Sequence, residues 1–527
     1  MFDHWRARHG SSAGGRRFIA FILAIATATS GGFAAPQRDF TQIDAQIEEA
    51  RRTWQQPGLA VAVVEDGRVI HARGFGTRNM STGEPVDADT VFGIGSCTKS
   101  FVSATAGQLV ESGRLKWDDR VRDHLPWFAL HDEATTNMVT LRDLLAMRTG
   151  LEGSPGIFRE IAKDRTDLVR RMRYLKPLAP FRSEMVYTTD NYTAAGLVVA
   201  QIAGTNWETV AQNQIWGPLG MTHTNADHRV ARALSNSASP HMAIDGRMAP
   251  IPWIYEDHVA LPAGGVNSSV NDMARWLMVL LGQGSWNGKQ ILQPSTVQEM
   301  ETPHTPNRGH YKSKALATIL GEGPDGVRFM SYALGLGIQD YHGSTVVQHD
   351  GAIDGFRCTL AMLPEKKFGV VVLLNGPYWL LGHAVTQLVL DYALDLPAKD
   401  WPAAFKAYSD HMDREEMQEE QRIQGQRNPR LPALSSSAYA SRYHDDGAFG
   451  EVEIKAEPNG KLIMSAGPVT YELQHWRRDT FAVVKRWPYP VPRSFFVSFL
   501  TDAAGEVTGF KTSYGGEFHR TEPSPGS

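Results

Sequence analysis

Strand-forming sequence stands on both sides of a long helical stretch, and this separation constrains the fold more than any other feature of the chain. On the N-terminal side, residues 59–64 and 68–74 are two β-rich runs separated by Glu65-Asp66-Gly67, the turn signal of a hairpin. Three more strand-like runs, at residues 345–348, 357–363 and 369–374, lie far downstream. A helical pattern follows them, with Leu381, Ala384, Val385, Leu388, Val389 and Tyr392 on one face. The early hairpin is therefore expected to be completed into a sheet by distant segments. Between the two blocks, from about residue 101 to about residue 320, helical patterns and Pro/Gly loops dominate, which reads as a helical insertion against a mixed sheet. A leading helix is expected from the spacing of Ile43, Ile47, Ala50 and Trp54, stopped by Pro57-Gly58. The fold class is α/β in the broad sense, of the α+β kind.

The two ends of the chain read differently. Arg16 and Arg17 precede the apolar run 18–26, and small residues then lead to Pro36, the layout of a secretory signal removed after roughly 35 residues. The run is too short to span a membrane comfortably, so no stable span is expected once it is removed and a periplasmic or secreted location follows. The paired arginines fit a twin-arginine route only loosely. After Trp401-Pro402 a polar, charged run over 413–422 reads as a surface helix or linker. From Leu431 the pattern becomes β, with Val452 and Ile454 alternating with charges and a turn at Pro458-Asn459-Gly460, which predicts a small all-β, barrel-like domain. The expected division is thus signal 1–35, main domain 36–400, linker 401–430 and β-domain 431–527.

Charge and cysteine content exclude several classes. With 53 basic against 57 acidic residues, the chain has no electrostatic footprint for nucleic acid. Only Cys97 and Cys358 occur, so there is no zinc-ligand spacing and at most one disulfide. No metal and no cofactor are called for.

The chemistry-bearing feature is Gly95-Ser96-Cys97-Thr98-Lys99, followed by the apolar-periodic Ala104, Leu109 and Val110. If a helix starts near Ser96, then Ser96 and Lys99 lie one turn apart on one face, and an amine can take the hydroxyl proton. The amine must be neutral to do so, which requires burial or a neighbouring positive charge to lower a pKa near roughly 10.4. Taken alone, S-x-x-K is a common chance pattern, and Ser96 as a helix cap with Lys99 solvated would explain it equally well.

Other matches follow in order. They are Thr140 with the Leu-Arg-Asp-Leu-Leu run to Gly150, Tyr187 with Tyr192 and Gly196, Trp216-Gly-Pro-Leu-Gly-Met221, Pro262-Ala-Gly-Gly265, and His349-Asp350-Gly351. On these motifs, residues 40–396 resemble the serine hydrolases related to class C β-lactamases, penicillin-binding carboxypeptidases, D-aminopeptidases and their esterase relatives. The resemblance implies a β-lactamase/transpeptidase-like sheet flanked by helices. It implies Ser96 as acylated nucleophile, Lys99 as its proton acceptor and Tyr187 as the relay to the leaving group. It further implies that His349 lines the strand edge that binds the acyl part, that Gly351 lets the backbone approach, and that the N–H groups of Ser96 and Ala352 form an oxyanion hole.

Two departures bear on substrate. The family's Tyr-x-Asn stands here as Tyr187-Thr188-Thr189, so Thr189 replaces a side-chain amide, with Asn191 nearby but out of register. His349 stands where classical β-lactamases carry lysine, which removes a fixed cation for a carboxylate. Lys511-Thr512-Ser513 imitates the lysine version but falls in the β-domain, and Gly10-Ser11-Ser12-Ala13-Gly14 fits a nucleophile elbow without the strand and helix it needs. Cys97 reads as a small packed residue rather than a reactive thiol. The expectation is an exported serine hydrolase acting on a carboxylic ester, a small peptide amide or another cell-wall-related small molecule. A D-amino-acid-specific peptidase and a class C β-lactamase are the alternatives within the class. A catalytically idle cell-wall-peptide binding or regulatory protein is the alternative outside it. Oligomeric state is not encoded legibly.

Overall fold

Strand Gly58–Glu65 carries apolar side chains without interruption, and the reason is that both of its faces are covered. Leu59, Val61 and Val63 point into one hydrophobic cluster, while Ala60, Ala62 and Val64 point into another. The strand lies inside an eight-stranded sheet. In spatial order the strands are Arg68–Gly76, Gly58–Glu65, Phe368–Leu374, Phe356–Leu363, Ser344–Ile353, Gly337–Tyr341, Met330–Tyr332 and Thr305–Pro306. The early hairpin therefore does meet the late strands, with Leu59 opposite Leu374 and Glu65 opposite Phe368. Every pairing in the sheet is antiparallel, so helix and strand are mixed in this fold but strand direction is not. Consecutive late strands are joined by short turns, which only antiparallel neighbours permit.

The computed structural model describes residues 38–153, 161–244, 246–253, 259–307, 329–429, 434–447, 449–467, 469–486, 495–513 and 515–521. The expected signal at 1–35 and the Gly10–Gly14 motif lie outside the described residues. From Phe40 onward the chain forms one compact unit.

Helices Thr41–Thr53 and Trp379–Ala393 cover one face of the sheet. On the other face lie Val270–Leu281 and the helical insertion, with helix Lys99–Glu111 at its centre. The central helix is buried along almost its whole length, and its sequence explains how. Ser100, Ser103, Ala104, Thr105, Ala106 and Gly107 are small enough for neighbours to press close. Two of its hydroxyls, on Ser100 and Thr105, accept hydrogen bonds from the indole N–H groups of Trp276 and Trp207 at 3.0 and 3.1 Å.

The polar run expected to be a surface helix belongs to helix Trp401–Gly425, whose first turns bury Trp401, Phe405 and Tyr408 and whose remainder is largely exposed. The Trp401 indole donates to Asp391 Oδ2 at 2.6 Å, which pins the start of this helix to helix Trp379–Ala393. Beyond it, eight antiparallel strands from Ser441–Asp445 to Glu517–Arg520 close into a barrel, the last strand pairing with the first at Tyr443 and Arg520. Closure removes the exposed edges an open sheet would carry. Tyr439, Tyr443, Phe481, Phe499, Phe510 and Phe518 fill its interior with mutually packed rings. Lys511 and Thr512 lie on a strand of this barrel. No helix among the described residues is long and apolar enough to cross a membrane.

Candidate active site

Ser96 sits in a short 3-10 turn, Gly95–Thr98, that runs directly into helix Lys99–Glu111. The local sequence dictates this arrangement. Strand Phe92–Gly93 pairs with Asn267–Ser268, Ile94 N–H donates to the Val266 carbonyl at 2.9 Å, and Val266 N–H donates to Thr98 Oγ1 at 3.1 Å. Gly95 then takes φ +52°, a left-handed conformation that favours glycine. A side chain there would also collide with the backbone, because its Cβ would lie 2.4 Å from Ala352 N. Within Gly95–Lys99 only Ser96 keeps appreciable solvent access.

Lys99 is fully buried, and its Nζ donates to Ser96 Oγ at 2.8 Å and to the Ala263 carbonyl at 2.6 Å. Ala263 belongs to the turn Leu261–Gly264, so the Pro262-Ala-Gly-Gly265 segment supplies an acceptor that orients the amine. Lys99 Nζ lies 5.0 Å from the centre of the Tyr187 ring and 5.6 Å from that of Tyr192. The expected serine–lysine pairing is thus a direct contact, built on a 3-10 turn rather than on the first turn of the α-helix.

Tyr187 precedes helix Thr189–Ala203 and edges the cleft, where the residue keeps 41% exposure. Burial pushes the phenol well above its ordinary pKa, and the nearness of Ser96 offsets part of that rise. Tyr187 is a neutral phenol at physiological pH.

Strand Ser344–Ile353 forms the opposite wall. Its neighbour Gly337–Tyr341 pairs only as far as Gln348, which leaves the edge of residues 349–353 to face the nucleophile turn. Gly351 makes the approach possible, because a Cβ there would lie 1.8 Å from the Ile94 carbonyl oxygen. Ala352 is exposed at this edge, next to Gly95. His349 is 8% exposed, with its ring centre 6.3 Å from that of Tyr187. Its Nδ1 lies 2.6 Å from the Asp350 carbonyl oxygen, which can only accept, so the proton is on Nδ1. Nε2 therefore accepts from the Tyr332 hydroxyl at 2.9 Å. Burial pushes His349 down to about 4, so the imidazole is neutral.

Ser96, Lys99, Tyr187, His349, Gly351 and Ala352 are brought together around the nucleophile turn, whereas Thr189 forms no hydrogen bond to that group among the described residues. Thr189 is half-buried at the start of its helix. Asn191 is fully buried and donates to Thr149 Oγ1 at 3.2 Å, so it faces away from the cleft and does not replace the missing amide. Cys97 and Cys358 are both buried free thiols. Sequence reasoning missed Tyr332, which follows no motif and whose strand is only three residues long, and the carbonyl of Ala263, whose role no side-chain pattern can announce. Among the described residues no group of three or more His, Cys, Asp or Glu side chains is arranged to hold a metal ion.

Comparison with known proteins agrees with this architecture. The family model described as Beta-lactamase matches residues 43–394. The chain is 28% identical over 469 residues to the unguisins hydrolase ungD of Aspergillus violaceofuscus, covering 81% of this chain and 80% of that protein. It is 24% identical over 363 residues to protein flp of Staphylococcus aureus, covering 66% of each. Among solved structures, the octameric penicillin-binding protein homologue from Pyrococcus abyssi superposes with a TM-score of 0.60 at 21% identity, over 91% of this chain and 100% of that one, a likeness of fold.

Proposed function

The chain belongs to the β-lactamase family, and on that premise we propose that it is a serine hydrolase that forms an acyl-enzyme on Ser96. The observation that carries this reading is the 2.8 Å contact between a fully buried lysine amine and the hydroxyl of the one accessible residue in its turn. In this reading the base is the uncharged amine, the form that can accept a proton. Ser96 Oγ attacks the substrate carbonyl while Lys99 takes the hydroxyl proton. Tyr187, held protonated by its surroundings, then gives a proton to the leaving group. The backbone N–H groups of Ser96 and Ala352 receive the developing oxyanion, each donor contributing roughly 3 to 4 kcal/mol. Water admitted to the vacated cleft completes the cycle.

The substrate class follows from what the walls carry. A neutral His349 with both ring nitrogens engaged offers no cation to a substrate carboxylate. Thr189 offers a hydroxyl where an amide would hold a substrate amide. These features favour a neutral carboxylic ester, or a peptide bond without a free carboxylate beside it, over a β-lactam. The chain's similarity to an unguisins hydrolase supports hydrolysis as the reaction class. The basic and apolar leader followed by small residues favours export to the periplasm or beyond. An activated ester should give a burst equal to the enzyme concentration followed by slower turnover, and Ser96→Ala should abolish both. Turnover unchanged in Ser96→Ala would refute the proposal.

A further inference from the structure

Asp143 is completely buried, in the short helix Leu141–Leu145 of the insertion, and it is ionised. Burial alone would raise its pKa, but the hydrogen bonds from Arg182, Thr140 and Arg148 outweigh that and hold it below the ordinary carboxylate range. Arg182 grips it with two parallel bonds, Nε to Oδ1 at 2.8 Å and Nη2 to Oδ2 at 2.7 Å. Arg148 Nε adds a third, to Oδ1 at 2.6 Å, and Thr140 N–H a fourth, to Oδ2 at 2.9 Å. A buried carboxylate with this many charge-assisted bonds defines one geometry.

What that geometry fixes is the segment that carries Tyr187. Arg182 lies five positions before it, and from Leu145 to Gly150 each residue accepts a bond from the tyrosine segment or from the strand beside it. The Leu145 carbonyl accepts from Tyr192 Oη at 2.6 Å, and that of Ala146 from Thr305 Oγ1 at 2.8 Å. Met147 accepts from Val186 N–H at 3.1 Å, and Arg148 from Arg182 N–H at 2.8 Å. Thr149 Oγ1 accepts from Asn191, and the Gly150 carbonyl from Ala179 N–H at 3.2 Å. Met147 and Arg182 both hold left-handed backbone, φ +53° and +65°, which non-glycine residues keep only where the surroundings impose it.

We infer that the Asp143–Arg182 ion pair is a positioning device that sets Tyr187 beside the Lys99 amine, which bonds Ser96. The pair touches neither substrate nor nucleophile and acts through Tyr187 alone. This inference rests on the acyl-enzyme reading, in which Tyr187 moves a proton. A misplacement of about 1 Å at such a group can cost roughly 100-fold in rate.

The test is a double-mutant cycle with an activated ester. Arg182→Ala should lower kcat roughly 10- to 100-fold with KM within about twofold. Arg182→Lys, which keeps the charge but not the two-point grip, should fall between wild type and Arg182→Ala. In a Tyr187→Phe background, Arg182→Ala should cost less than about twofold further, because the group it positions is already gone. The same fold-loss in both backgrounds, or a rise in KM with kcat unchanged, overturns the inference. Should Arg182→Ala not fold, the cycle with Arg182→Lys is read the same way. A wild-type protein with no Ser96-dependent burst refutes the acyl-enzyme reading itself, and is distinguished from failure of the inference alone by that control.

Discussion

The thiol of Cys97 donates to the backbone carbonyl of His349 at 3.3 Å, fastening the residue after the nucleophile to the strand that edges the cleft. Burial pushes this thiol well above its ordinary pKa, so it is a packing group and not a second nucleophile. Native protein should therefore keep its turnover of an activated ester after incubation with iodoacetamide, and both cysteines should become alkylated only on unfolding. Rapid inactivation with a single label on Cys97 would contradict this.

The close approach of the two backbones depends on Gly351. In Gly351→Ala the new methyl meets the Ile94 carbonyl oxygen and carbon, backbone atoms that cannot rotate away. The substitution should destabilise the fold by about 1–3 kcal/mol and depress the acylation burst, because Ser96 and Ala352 are pushed apart. Gly425→Ala, at the end of helix Trp401–Gly425 with open space around it, is the control and should be neutral or slightly stabilising. Denaturant melts and burst amplitudes of the two variants check both halves.

Acid should weaken the fold through buried histidine. His349 is pushed down to about 4 from an ordinary value of 6.5, so between those values the unfolded chain binds a proton that the folded protein refuses. Stability is then fully present above pH 6.5 and falls as pH drops toward 4, by about 3 kcal/mol for a shift of this size. His304, also held near 4 by burial with Arg142 and Arg148, contributes in the same window. Urea melts from pH 7 to pH 4 should show this slope, and His349→Gln should flatten it. A slope unchanged in His349→Gln would show that the imidazole is not the group titrating.

Under the proposed function, Thr189 is expected to bear on the discrimination between esters and amides. Thr189→Asn restores the amide of the family's Tyr-x-Asn pattern, and should raise kcat/KM for anilides or nitrocefin relative to an activated ester by roughly tenfold. Equal change for both substrate kinds would mean that Thr189 does not face the acyl group.

Much of this was legible in the sequence where chemistry and periodicity coincide. Apart from Arg357, the runs at 59–64, 357–363 and 369–374 are β-branched and apolar stretches, and each lies in a strand buried on both faces. Ser96 and Lys99 were legible because three residues of spacing bring side chains together in a 3-10 turn as in an α-helix. The strands Met330–Tyr332 and Gly337–Tyr341 were not, since strands this short carry too few residues to show a period. Nor was the fate of Asn191: sequence distance places it near Tyr187, but the helix turns its amide toward Thr149. Backbone partners such as the Ala263 carbonyl leave no trace in residue identity at all.

The most direct measurement is the intact mass of the protein after exposure to a fluorophosphonate. The expected result is one adduct, mapped by peptide sequencing to Ser96, formed rapidly in wild type, slowed by at least about 100-fold in Lys99→Met and absent in Ser96→Ala. An adduct on another residue, or labelling of Ser96 at an unchanged rate in Lys99→Met, would contradict the claim that a buried lysine amine makes this hydroxyl a nucleophile.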